Sequence, residues 1–279
     1  MNIIQGLMEY ISKNLVDPTY NNPNEFFGDD TIFERAMKFY KLFESERTRG
    51  QLVLSKISPE RHENRLAVST EFLTPMEWGI RFEPVVKKYL EKTWNCQIYE
   101  CGRVTHPKEH LGASPDGLII TEGERYGRLV EIKCPYSRKI EEGTIPEDYW
   151  IQMQIQLEVT QLYECEYFEV EILSKTPKNM NPNFEKIDGE VYLIMKDDIY
   201  SYNYDCLVPD GYELVEKIPY AIVKTHNKLV YRDKKWYEET VPKQQVFWED
   251  VEKAKKGEFV LPEARVRKRK DECLIVDNE

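Results

Sequence analysis

Several things that would point to a secreted, membrane or zinc-binding protein are missing from this sequence. The six cysteines, Cys96, Cys101, Cys134, Cys165, Cys206 and Cys273, never form a CxxC pair, which excludes a zinc ribbon or finger of ordinary spacing. No group of clustered thiolates is available for an iron–sulfur centre, and reduced structural thiols are expected. The histidines, His62, His106, His110 and His226, show no metal-ligand spacing and read as incidental. No apolar run approaches the roughly 20 residues needed to span a bilayer. The opening MNIIQGLMEYISKNL lacks a basic segment followed by a small-residue cleavage site. These absences predict a soluble, intracellular protein with no membrane partner. Surplus positive charge is missing too: 39 basic residues face 50 acidic ones, a net charge of -11. That sign is unfavourable overall for contact with phosphates, which needs Lys and Arg. Local distribution decides the matter, because carboxylates that gather a cation reverse the sign where they sit.

Aromatic residues, by contrast, are abundant. The 18 Tyr, 11 Phe and 5 Trp argue for a packed core over most of the chain, and 279 residues suffice for one large domain or two small ones. The stretch Asp17 to Asp30 is turn-rich. From Thr31, the spacing of Ile32, Arg35, Ala36, Phe39, Tyr40 and Phe43 predicts a helix. A better-marked helix follows, with Thr74 as cap and Pro75 at its first position. Ile80, Val85, Val86, Tyr89 and Leu90 supply its apolar face, and Pro84 predicts a kink or a break near Phe82. Strand-like runs occupy Cys96 to Thr105, Asp116 to Thr121 and Arg128 to Pro135. The last two flank the polar loop EGERYG and predict a hairpin. A helix is expected over Glu147 to Tyr163, strands over Phe168 to Leu173 and Val191 to Lys196, a strand or loop over residues 211–222, and a helix over Lys243 to Glu258. Helices alternating with strands indicate a sheet with helices on its faces.

The chemistry-bearing residues lie in that hairpin. Asp116 sits where a turn enters a strand. Glu131 and Lys133 lie two apart on the next strand, so their side chains share a face. If the strands pair, the three groups converge on one edge of the sheet. Two carboxylates and a backbone carbonyl make a hard oxygen site suited to Mg²⁺ or Mn²⁺. Such an ion polarises a phosphodiester and lowers the pKa of bound water, and a neighbouring lysine orients that water or stabilises developing charge. By itself the D-x14-E-x-K pattern fits an ordinary charged surface hairpin equally well.

The flanking sequence is more specific. WGIRFEPVVKKYL (78–90), GASPDGLI (112–119), VEIKCPYSRK (130–139) and YWIQMQIQLEVT (149–160) resemble, in order and spacing, the lambda-type exonucleases, or YqaJ-like viral recombinases, of the PD-(D/E)XK nuclease superfamily. The resemblance implies an α/β chain with a restriction-endonuclease-like core, a mixed central β-sheet flanked by helices, and helical additions at both ends. The chain is expected to divide into an N-terminal helical region over 1–75, a nuclease core over 76–205 and a C-terminal extension, packed on the core and with a basic tail, over 206–279; the resemblance itself covers roughly residues 76–175. Asp116 and Glu131 resemble the metal-binding carboxylates, and Ile132 the residue whose carbonyl completes the site. Lys133 resembles the catalytic lysine, and Glu83 the helix acid that acts through a second metal or a water. Ser114, Arg138, Tyr149 and Gln152 resemble residues that contact substrate. Tyr149, Gln152 and Gln156 also share one helix face by spacing alone, opposite Ile151, Ile155 and Val159. The upstream segment SERTRGQLVLSK, with Arg47, Arg49 and Ser55, does not reproduce the family's pattern.

The implied activity is Mg²⁺-dependent hydrolysis of DNA at duplex ends, with 5′-to-3′ polarity, in viral or phage recombination or repair. Mn²⁺ is the expected substitute. A single-strand annealing protein and further copies of the chain are the implied partners, in a host cytoplasm or nucleus. Two rivals stand beside it: a structure-selective endonuclease or RNA nuclease on the same fold, and a catalytically silent DNA-binding module. Two basic segments keep open readings. KTHNKLVYRDKKW (224–236) either lies along DNA or forms a strand and turn with Tyr231 and Trp236 packed. RVRKRK (265–270) either grips phosphate or serves nuclear localisation, or is a solvated end.

Overall fold

A computed structural model describes residues 4–7, 34–35, 39–57, 73–106 and 111–263. The expectations for 17–30 and 265–270, and those for His62, His110 and Cys273, lie outside the described residues. The chain forms two compact units, one comprising residues 1–40 and 61–240 and the other 41–60 and 241–279.

The first unit is built on a seven-stranded mixed sheet. In chain order its strands are β2 (Ile98–Tyr99), β5 (Gly117–Ile119), β6 (Leu129–Lys133), β7 (Glu164–Ser174), β8 (Gly189–Lys196), β9 (Ile199–Asn203) and β10 (Glu213–Tyr231). Their spatial order is β2-β5-β6-β7-β10-β8-β9. β5 and β6 pair antiparallel as the expected hairpin. β6 and β7 are parallel, so a crossover must join them, and the helix Glu147–Thr160 makes it. A smaller sheet holds β1 (Glu34–Arg35), β3 (Val104–Thr105) and β4 (Leu111–Ala113).

Two helices position the site, α2 (Pro75–Trp94) and α3 (Glu147–Thr160); α1 (Glu46–Ile57) precedes them. α2 starts at a capping box. Thr74 Oγ1 accepts from the Glu77 amide at 3.2 Å, and the Glu77 carboxylate accepts from the Thr74 amide at 2.6 Å. Its Trp78, Phe82, Val85, Val86 and Leu90 pack on Ile98, Ile119, Val130, Ile132 and Phe168 of the sheet. Val130 and Ile132 therefore face α2, and strand alternation turns Glu131 and Lys133 to the opposite face. α3 lies on that face and is buried at every position from Ile151 to Thr160. An exposed polar side is thus absent from α3. Gln154 shows how its amides are satisfied, donating to the Tyr231 carbonyl and accepting from the Asp233 amide.

Several expectations are corrected. α2 runs unbroken through Pro84. The proline leaves the Ile80 carbonyl without its helical donor, and the Tyr204 hydroxyl donates to it at 3.2 Å. Glu34 and Arg35 pair in parallel with Leu111 and Gly112 rather than continuing a helix from Thr31, so partner-strand pairing overrides local periodicity. The run from Cys96 to Thr105 divides into β2 and β3, which belong to different sheets. Residues 213–231 form one strand, whose first part pairs with β8 and last part with β7. The C-terminal helix α4 (Lys234–Lys255) begins nine residues before the expected Lys243. In the segment 224–236, Trp236 packs on Trp150, whereas Tyr231 is exposed.

The second unit absorbs the arginines of SERTRGQLVLSK. Arg49 pairs with Asp250 at 2.7 Å, and Arg47 donates to the Pro262 carbonyl at 2.9 Å. A side chain at Gly50 would meet Leu261 and Pro262 at 2.9 Å, so only glycine allows this close approach.

Candidate active site

The site forms where β5 and β6 separate. Gly117 pairs with Val130, so continuing the register would set Pro115 against Ile132. Proline has no N–H to give, and the ladder stops there. The Ile132 amide is satisfied by Asp116 instead, whose Oδ2 accepts from it at 2.6 Å. In an extended strand a residue's N–H and C=O point to the same edge, so the Ile132 carbonyl also faces the gap that holds Asp116.

Glu131 is fully buried. One of its oxygens accepts from Lys133 Nζ, and the other accepts from Gln156 Nε2 at 2.7 Å. Gln156 Nε2 also lies 3.4 Å from the Ser114 carbonyl, tying α3 to the turn before Asp116. The Ser114 side chain itself is exposed. Tyr149 lies under both cations, its ring centre 4.9 Å from Lys133 Nζ and 5.6 Å from the Arg138 guanidinium carbon. Gln152 is buried one turn before Gln156, and it is Gln156 that reaches Glu131.

Three acids and one lysine share this low-dielectric space. Burial, then Glu131, raise the Glu83 carboxyl to about 7, while Lys133 pulls it down. The same causes, with Glu83 added, hold Asp116 well above the ordinary carboxylate range. For Lys133, burial opposes the charge, but Glu131 and Asp116 outweigh it and keep the amine an ammonium. A lysine bound this way is a charge donor, not a base.

Among the described residues, no three His, Cys, Asp or Glu side chains stand together as a ready metal cage. The carboxylates are tied to Lys133, Gln156 and the Ile132 amide instead. The donor set still fits a hard divalent cation, because it is all oxygen and carries more negative charge than Lys133 neutralises. The buried Gln156 Oε1 has no hydrogen-bond partner among the described residues, an acceptor beside Glu131 for the water that such an ion carries.

Two residues of the site, Glu169 and His226, are not singled out from sequence as site residues. Spacing puts Gln156 on the helix face that meets the site, but which glutamine meets Glu131 depends on how far α3 is slid along the sheet. Glu169 and His226 enter by register: Lys133 on β6 pairs with Glu169 on β7, which pairs with His226 on β10. Arg138 donates to Glu169, and His226, expected to be incidental, is buried beside it. No local pattern could reveal a row assembled from three distant strands.

Several known proteins are similar to this chain in fold or in sequence. An alkaline exonuclease from Laribacter hongkongensis shares the fold with a TM-score of 0.52 at 20% identity, covering 84% of this chain and 94% of that one. A phage-related exonuclease from Haemophilus somnus gives a TM-score of 0.47 at 12% identity, over 84% of this chain and 99% of that one. An uncharacterised protein of Acanthamoeba polyphaga mimivirus is 32% identical over 107 residues, which is 34% of this chain and only 20% of the viral protein's length. Residues 38–163 match the YqaJ-like viral recombinase domain and span Glu83, Asp116, Glu131, Lys133, Arg138, Tyr149 and Gln156.

Proposed function

We propose that the chain is a metal-dependent DNA exonuclease that hydrolyses phosphodiesters at duplex ends, with 5′-to-3′ polarity, in recombination of a viral or phage type. The observation that carries this reading is the convergence of Glu83, Asp116, Glu131 and Lys133 where β5 and β6 part, inside the segment that matches the recombinase family. Asp116, Glu131, the Ile132 carbonyl and Glu83 would hold Mg²⁺, or Mn²⁺ in its place. The ion would supply Lewis-acid polarisation of the phosphodiester and a water acidic enough to attack it.

The chain's own groups do the rest. Lys133 remains an ammonium and stabilises the negative charge that grows on the phosphoryl oxygens as water adds and the leaving oxygen departs. Glu131 and Tyr149 fix that ammonium from below. Gln156 orients Glu131 through one amide hydrogen bond and offers Oε1 to the attacking water. Ser114 and Arg138, both open to solvent, take substrate phosphate. The degraded strand would leave a 3′ overhang for a single-strand annealing partner.

Digestion of linear duplex with a labelled 5′-phosphate, in Mg²⁺ and in EDTA, tests the reading. Wild type should release labelled mononucleotides only with the metal, and Lys133→Ala should lower the rate at least a hundredfold, about the scale of losing one charge-stabilising donor. Equal rates in variant and wild type, or indifference to EDTA, would overturn the site. Internal cuts in closed circles would keep the site and replace the exonuclease by an endonuclease.

A further inference from the structure

β10 carries an alternating row, Lys224, His226 and Lys228, on the sheet face that bears Glu131 and Lys133. Each member bonds the loop that follows β6. Lys224 Nζ donates to the Ile140 carbonyl at 3.2 Å, and Lys228 Nζ donates to the Gly143 carbonyl at 2.6 Å. Between them, His226 Nε2 accepts from the Gly143 amide at 3.1 Å. Gly143 has φ +76°, a conformation that glycine adopts without strain and that lets both its N–H and its C=O turn toward β10.

That loop carries Arg138. Its Nη2 donates to Glu169, which is 1% exposed, while the arginine side chain remains 39% exposed. A guanidinium has five N–H donors, so others remain for a ligand beside the bonds to Glu169 and to the Lys139 carbonyl at 3.5 Å. The second Glu169 oxygen lies 3.8 Å from His226 Nδ1. Because Nε2 accepts from Gly143, the neutral ring carries its proton on Nδ1, facing Glu169. Glu169 thus lies between Arg138 and His226, and Lys133, its register neighbour, is left to Glu131.

We propose that Glu169 and His226 are positioning residues for Arg138, and that the β10 row staples the loop so that the guanidinium meets a substrate phosphate already oriented. The inference rests on the reading of Arg138 as a phosphate ligand given above. An arginine held beforehand loses less side-chain freedom on binding than a free one.

The test is binding of a 5′-phosphorylated duplex in EDTA, followed by fluorescence anisotropy across salt concentrations, together with kcat and KM in Mg²⁺. Arg138→Ala should weaken binding about tenfold and reduce the slope of log affinity against log salt by about one. His226→Leu should weaken binding in the same direction and raise KM more than it lowers kcat, and His226→Gln, which keeps an acceptor for Gly143, should restore most of the loss. In the Arg138→Ala background, His226→Leu should add nothing, since it acts through the arginine. Should His226→Leu fail to fold, Lys228→Met, at an exposed position, reads the same staple.

Equal losses from the staple variant with and without Arg138 would overturn the inference. So would full binding by both Lys228→Met and His226→Leu. If Arg138→Ala binds as wild type while Lys133→Ala still abolishes cleavage, the positioning role falls and the nuclease reading stands. If wild type never cleaves but the Arg138–His226 coupling appears in binding, the nuclease reading falls and the positioning role stands.

Discussion

Glu83 shows what the site costs the fold. Its carboxyl is held at about 7 by burial and by Glu131, so between about 4.5 and 7 the metal-free folded chain keeps a proton that the unfolded chain has released. Stability from this group therefore falls as pH rises through that interval and levels off above it. Because Asp116 and Glu83 interact, the loss belongs to the acid cluster as a whole. Glu83→Gln removes the charge but keeps the shape. Its melting temperature in EDTA should exceed that of wild type by a margin that grows from pH 5 to pH 7 and is steady beyond. A margin that is the same at pH 5 and pH 8 would show that Glu83 is not an electrostatic burden on the fold. Under the proposed function, the same clustering of carboxylates is what would attract a divalent cation.

At the scale of the element, α2 carries a proline that local reading takes for a kink or a break. The helix survives because Trp78, Phe82, Val85 and Val86 bury on the sheet on both sides of Pro84, and because Tyr204 replaces the lost donor to the Ile80 carbonyl. Tyr204→Phe should cost about 1 kcal/mol, the net worth of an ordinary hydrogen bond. With Pro84→Ala in place, residue 84 supplies its own amide to Ile80, and the same tyrosine substitution should then cost almost nothing. Urea unfolding of the four chains checks the coupling, and additive losses would show that Tyr204 matters through packing alone. α3 teaches a related lesson. Tyr149, Gln152 and Gln156 share a face as their spacing requires, yet that face meets β6 rather than water. Spacing defines a stripe; what the stripe faces is set by the neighbouring sheet.

For the molecule as a whole, a net charge of -11 means that a divalent ion bound as proposed would relieve repulsion as well as serve the chemistry. A ligand that binds only the folded chain stabilises it by roughly 2.7 kcal/mol at a hundredfold excess over its Kd. Mg²⁺ at pH 8 should therefore raise the melting temperature of wild type in a concentration-dependent way, and Asp116→Asn should abolish most of the rise. An equal rise in the variant would assign the effect to general screening of negative charge. Among the described residues, no helix is long and apolar enough to cross a membrane, in line with the absence of long apolar runs in the sequence.

Much of the candidate site on the β5–β6 pair was determined by sequence, for a physical reason. Asp116, Glu131 and Lys133 lie within one hairpin, where the period of two in a strand and a short loop fix which side chains meet. Glu83 was legible only through its flanking residues, since nothing in its own helix says that its face turns toward β6. Tertiary structure alone decided the rest. Parallel pairing of β6 with β7, and antiparallel pairing of β7 with β10, brought Glu169 and His226 level with Lys133 from 36 and 93 residues downstream. The slide of α3 along the sheet chose Gln156 over Gln152 as the partner of Glu131. Local sequence sets the period of an element, whereas register and slide are chosen by the whole core at once, where one residue of slip would turn every buried side chain outward.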